Sequence, residues 1–409
     1  MLLVLLLTAL VQGGATCASV EDCRQQALEA RARGDYETFH DFAWRAVQKG
    51  KPNDPGLMYL LARAQSLSGR PGDALVMLQR LRLLGITTDA ATNDDFRRVR
   101  TLKGWAEFAA PSSRAAPEPS APEPSAPAPS APVAAAPSPA MPAAALTFEA
   151  PMEFDPVGLA YDAVSRRFLI GDRAARRLVI VDELSRHVVT LVSAASADFL
   201  DRISGFAIDP KRGDLWVAST DEQQSVLHKL QLVSGRVLMR VTTDLGSAPV
   251  RFEDVVVAGD GTVLAVDAVG GRVFRLRPGA RQLEVAHEIG SEGTRTLTLG
   301  TGNALYVGGT SGLSRVEFGR RAAVPLTEPG GETVSNIGRL RWSAGSLVAL
   351  QETSTGPRLI RIALDAGGKT IKGVEVLDQH AASATTGTVS DRMFFYLAPG
   401  GAIRSISLR

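Results

Sequence analysis

The chain has 409 residues, 45% of them hydrophobic, which is enough apolar material for two ordinary globular cores. Lys plus Arg (45) nearly balance Asp plus Glu (43), and a formal net charge of +2 gives no field for nucleic acid or an anionic membrane surface. Only two cysteines are present, so a cysteine-based metal site is excluded.

Met1 to Val11 is almost wholly apolar and is followed by Gly13-Gly14-Ala15, small residues of the kind a signal peptidase reads. The run is too short to remain as a bilayer span, although no Lys or Arg precedes it. Residues 1–15 are therefore read as a cleaved secretory signal. The expectation is a periplasmic or secreted bacterial protein with no integral membrane span after cleavage. Cys17 and Cys23 follow the cut, six apart. In an exported protein they can pair and clip the first helical turn, or they can stand as two unpaired small residues; spacing leaves both open.

From Ser19 to Phe108 the apolar pattern has the helical period. Ser19 with Asp22 marks a capped start, Gly34, Gly50, Gly69 and Gly85 mark stops, and Asp54-Pro55 opens a further helix with proline in its first turn. The stretch Asp54 to Ala62, then Gly69-Arg70-Pro71, then Asp73-Ala74-Leu75 with Leu78 and Leu81, resembles a tetratricopeptide repeat. Ala27, Gly34, Ala43 and Ala46 stand 35 places before Ala62, Gly69, Leu78 and Leu81, as a degenerate first copy. Asn93 to Trp105 resembles the helix that caps such arrays. The resemblance implies a protein or peptide partner, and Tyr36, Phe39, Phe42 and Trp44 are expected in the core.

Residues 109–145 are nearly all Pro, Ala and Ser, a composition that cannot bury a core. This is read as a disordered tether between two independent bodies.

In residues 146–409 six pairs of short β-type runs recur, the second run of each starting at Phe168, Leu215, Val263, Leu305, Leu347 and Phe394, spaced 42 to 48 residues apart. Turn formers such as Asp209-Pro210-Lys211-Arg212-Gly213 and Gly259-Asp260-Gly261 join them. A period near 45 built from strands alone predicts a six-bladed β-propeller. The last copy is one strand short, and Leu146 to Phe148 is expected to supply the missing strand and close the ring. The fold class is thus multidomain: an α-helical tetratricopeptide-like module, a linker and an all-β propeller.

First strands of blades line the central channel, and their leading residues fall at Asp155, Arg202 with Ser204, Glu253 with Asp254, Arg295 with Thr296, Asn336 with Gly338, and Thr385. The blade Phe252 to Asp267 with Gly271-Arg272-Val273 is similar to the senescence marker protein/gluconolactonase family and to NHL-repeat propellers. The lactonases of that family hold a divalent metal in the channel. The resemblance implies Asp254 and Asn336 as ligands, with Asp155 a poor third, because Phe154-Asp155-Pro156-Val157-Gly158 replaces the expected Glu-Gly-Pro type motif. No organic cofactor is expected; calcium, magnesium or zinc is the candidate cation. Arg202, Glu253 and Arg295 are candidates for ligand contact at the mouth, the arginines for a carboxylate. The five histidines are scattered, and Gly309-Thr310-Ser311-Gly312-Leu313 lacks the last glycine of a nucleophile elbow. The reading is a non-enzymatic binding or scaffold protein, with a metal-dependent lactonase as the alternative.

Overall fold

The computed structural model describes residues 17–102, 104–110, 145–147 and 154–408, the last range without 184, 185, 187, 210, 244–247, 291, 292, 318–322, 329–333, 380–385, 391 and 399–401. The proposed signal and most of the tether lie outside the described residues, as do His187, His380 and Thr385.

Four helices come first: α1 (Val20–Ala32), α2 (Tyr36–Lys49), α3 (Pro55–Leu67) and α4 (Pro71–Leu83). Their ends follow the sequence signals. The Ser19 hydroxyl accepts from the Asp22 N–H, Asp54 accepts from the Leu57 N–H ahead of Pro55, and Gly34, Gly69 and Gly85 take positive φ where the chain leaves a helix. Gly50 instead stays at φ −78°, so its stop needs no glycine backbone. Cys17 and Cys23 are joined in a disulfide, with Cys23 buried beside Ala46 and Leu57.

Asn93 to Trp105 departs from the expected capping helix. It forms two 3₁₀ turns, Asp94–Phe96 and Val99–Thr101, before the short helix α5 (Trp105–Ala109). The physical reason is that its groups are held one at a time. The Asp95 carboxylate is gripped by Arg31 and Arg63, Arg100 donates to the Ala90 and Asn93 carbonyls, and Phe96 is fully buried. Phe39, Phe42 and Trp44 are buried as expected, but Tyr36 is exposed.

Strand β1 (Ala145–Thr147) precedes the ring. Blade one is β2 (Pro156–Asp162), β3 (Arg167–Asp172), β4 (Arg177–Asp182) and β5 (Val188–Ser193). Blade two is β6 (Arg202–Ile208), β7 (Asp214–Thr220), β8 (Ser225–Gln231) and β9 (Val237–Thr242). Blade three is β10 (Phe252–Val257), β11 (Val263–Asp267), β12 (Arg272–Leu276) and β13 (Glu284–Glu288). Blade four is β14 (Thr294–Leu299), β15 (Leu305–Gly309), β16 (Gly312–Val316) and β17 (Val324–Pro325). Blade five is β18 (Ile337–Ser343), β19 (Ser346–Gln351), β20 (Arg358–Leu364) and β21 (Ile371–Asp378). Blade six holds β22 (Gly387–Ser390), β23 (Met393–Ala398) and β24 (Ala402–Ser407), completed by β1, whose Leu146 lies opposite Ile403. The expected closing strand is therefore in place, and it covers the outer edge of the last blade.

The turn aspartates hold the blades in shape. Asp172 accepts from Ala175 N–H and Arg177, Asp209 from the Lys211 and Arg212 N–H groups, and Asp267 from Arg251 N–H, Val269 N–H and Arg272.

The helical module is not a separate body. It packs on the propeller's underside, against the turns that join inner to second strands and the β8–β9 turn. The Arg80 Nη1 donates to the Ser165 carbonyl at 2.6 Å and to Asp182 at 3.2 Å. The Trp44 ring covers Gly213, whose positive φ and lack of Cβ allow the approach; a Cβ there would meet the ring at 2.7 Å. Asp73 is buried and hydrogen-bonded to Ser234. One apolar core continues from Leu61 and Leu78 through Trp44 to Val164, Leu215 and Leu232. The expectation of independent bodies fails because composition described the tether and was silent on the surfaces it joins.

Candidate functional site

The inner strands of blades one to five repeat one irregularity. Pairing with the second strand shifts between Val157 and Leu159, Ile203 and Gly205, Phe252 and Asp254, Thr294 and Thr296, and Ile337 and Arg339. The skipped residues are Gly158, Ser204, Glu253, Arg295 and Gly338. A bulge leaves its extra residue out of the ladder and re-aims the side chain, which is why bulges gather at functional rims. Ser204, Glu253, Arg295 and Gly338 all line one cavity of about 660 Å³ at the upper mouth of the channel.

That cavity is lined by four arginines, Arg173, Arg251, Arg295 and Arg339, and by Glu253 and Glu352. Arg251 stands 3.3 Å from Glu253, and Arg173 only 3.8 Å from Asp155. Among the described residues Arg295 has no ion-pair partner. The Nε of Arg251 and of Arg173 are the atoms of those two ion pairs, while the buried Nε–H of Arg339 has no hydrogen-bond acceptor. Four cations stand against two carboxylates on the cavity wall, and this excess of guanidinium donors points to an anionic ligand.

Below the mouth, Asp254 is fully buried. Its Oδ1 is 2.8 Å from Arg339 Nη1, and its Oδ2 accepts from Arg341 Nη1 at 3.0 Å and from the Thr296 hydroxyl at 2.7 Å. Thr296 in turn accepts from the Leu340 N–H. Three blades are thereby braced across the channel. Burial alone would push the Asp254 carboxyl up, but Arg339, Arg341 and the hydrogen bonds hold it below the usual carboxylate range.

These contacts give Asp254 a role other than the expected one. A carboxylate shared by two guanidiniums has no free oxygen for a divalent cation, and the positive charge beside it repels one. Asn336 sits in a turn at φ 55°, its N–H donating to the Thr310 carbonyl and its carbonyl accepting from Glu352 N–H, and it does not line the cavity. Asp155 is half exposed and faces Arg173. Among the described residues no group of three or more His, Cys, Asp or Glu is placed to hold a metal. The residues present do not fit a divalent cation at Asp254.

Of the candidates for ligand contact, Glu253 and Arg295 come together in the mouth, whereas Arg202, at the start of β6 opposite Thr220, is not among its lining residues. Arg173, Arg251, Arg339 and Glu352 were not foreseen. Arg251 precedes its inner strand by one residue, and Arg173 and Glu352 follow second strands by one. A search of both ends of each strand pair for charged residues would have found those three.

No known protein family profile matches the chain, and no curated protein resembles it. Among solved structures it is similar to a PQQ-bound aldose sugar dehydrogenase from Streptomyces coelicolor, at 14% identity and a TM-score of 0.49 over 65% of this chain and 99% of that one. It is also similar to a gluconolactonase from Xanthomonas campestris, at 15% identity and 0.47 over 65% and 90%. A virginiamycin B lyase from Staphylococcus aureus follows, at 12% and 0.46 over 65% and 99%. Likeness at these levels carries neither chemistry nor substrate to this chain.

Proposed function

We propose that this protein is a binding protein whose propeller mouth takes a small ligand bearing carboxylate groups. The observation that carries this reading is the set of four arginines around one cavity, of which Arg295 has no ion-pair partner among the described residues and Arg339 keeps a buried Nε–H without an acceptor. Planar guanidinium donors match a carboxylate two at a time, and the bulged backbone gives their neighbours a fixed aim. Glu253 and Glu352 on the same wall would accept from hydroxyl groups of that ligand. Calorimetric titration with citrate at low ionic strength tests it: saturable binding is expected, and no heat up to millimolar citrate overturns it.

The competing reading, a metal-dependent hydrolase of the gluconolactonase kind, is separated by metal analysis of the purified protein and by assay with a lactone. Stoichiometric divalent metal with metal-dependent turnover would favour it.

Export to an oxidising compartment belongs to the same proposal and is supported by the Cys17–Cys23 disulfide. So does a protein or peptide partner, for which the outer surface of the docked helices is the available face.

A further inference from the structure

Arg339 and Arg341 are two apart on β18, so both project to the same side of the strand, into the channel. They serve different ends of it. Arg339 faces the upper mouth, and Arg341 lines a second cavity of about 470 Å³ on the other side of the Asp254 brace. The second cavity is the lower half of the channel, and the docked helical module contributes Trp44 and Gln48 to its wall.

Its chemistry is unlike that of the mouth. The wall is more apolar than that of the mouth, with Leu159, Val255, Val257 and Leu299 from three blades and the aromatic rings of Tyr161 and Trp342. Arg341 is the one cation among the lining residues. Asp162, the one carboxylate there, is already engaged by the Val164 and Ser165 N–H groups and by Arg167. Arg341 donates through Nη1, to Asp254 and to the Leu340 carbonyl, and its Nε and Nη2 have no acceptor among the described residues.

Charge balance gives the same direction. Asp254 carries one negative charge against two guanidiniums, so the triad is one positive charge in excess. Arg341 is partly exposed on the cavity side, and an anion brought into the lower cavity would meet the excess positive charge where water screens it little. We infer that the lower half of the channel is a second binding site, for a ligand with an apolar body that ends in a carboxylate. The carboxylate meets Arg341, the body lies along the aliphatic wall, and the helical module covers the end. A volume near 470 Å³ lies within the range of small-molecule sites. This site is separate from the carboxylate site of the mouth and does not rest on it.

The probes are decanoate and decanol, titrated by calorimetry and by the fluorescence of Trp44 and Trp342. Decanoate is expected to bind saturably and at least tenfold more tightly than decanol. Arg341→Met should remove that preference. Because Arg341 also braces Asp254 and the variant can fail to fold, Val257→Phe and Thr298→Phe fill the cavity from two other strands without touching the triad. Each should weaken decanoate at least tenfold while citrate titration of the mouth is unchanged. Absence of saturable decanoate binding, equal binding of decanol, or decanoate binding untouched by both filling variants would overturn the inference. Failure of citrate binding with decanoate binding intact would overturn the mouth reading alone.

Discussion

Arg339 and Arg341 hold opposite oxygens of a single carboxylate, that of Asp254, in the middle of the channel. The arrangement ties blade three to blade five and sets Arg339 at the floor of the mouth. Removing the carboxylate leaves two buried cations facing each other. Asp254→Ala is therefore expected to cost about 3–5 kcal/mol of propeller stability, measured by urea unfolding. A loss below 1 kcal/mol would show that solvent already reaches the pair. Since the Asp254 value is depressed from its ordinary 3.8, its contribution is present above that pH and is lost as pH falls through the lower folded value.

Asp73 behaves in the opposite sense. It is buried at the junction of helices and propeller, and burial raises its carboxyl to about 6 despite Ser234, Arg70 and Arg167. The stabilisation it gives is complete below its ordinary value of 3.8 and is lost as pH rises through about 6. For a rise from 3.8 to about 6 the loss is on the order of 3 kcal/mol. Asp73→Asn, which keeps an acceptor for Ser234, is expected to flatten the fall in melting temperature between pH 4 and pH 7. An unchanged pH profile would contradict it.

At Gly213 the helices meet the ring with no room for a side chain. An alanine there suffers twice, from its positive φ and from a Cβ against the Trp44 ring. Gly213→Ala is expected to weaken docking by at least about 2 kcal/mol, seen as faster hydrogen exchange in α2 and α4 with blades four to six unchanged. Uniform protection in both proteins would mean that the interface is softer than its contacts suggest.

Much of the fold was legible because it is written in local chemistry. The strand pairs repeat near every 45 residues, the caps at Ser19 and Asp54 use their own side chains, and turn aspartates such as Asp209 bind the backbone a few residues on. The closing strand was legible by counting, since six blades need one more strand than the C-terminal segment holds. What escaped depends on contacts distant in sequence. Trp44 looked like any helical core aromatic and Gly213 like any turn glycine, and only their meeting shows that the module is docked. The site was half visible for the same reason. Glu253 and Arg295 were placed by alignment of the inner strands, but the bulges that aim them, and the pairing of Arg339 with Asp254, arise only in the folded ring. Asp254 read as a metal ligand through the resemblance to the lactonases; two arginines from a strand about 85 residues on gave it another chemistry.

The central claim is that the arginine-lined mouth recognises carboxylates. The most direct measurement compares citrate affinity of the wild type with that of Arg251→Ala/Arg295→Ala, two residues on the rim and outside the Asp254 brace. Loss of two charge-assisted contacts at about 1.5–3 kcal/mol each is expected to weaken binding at least hundredfold, with the melting temperature little changed. Equal affinity in the two proteins, or no citrate binding by the wild type, would contradict the account.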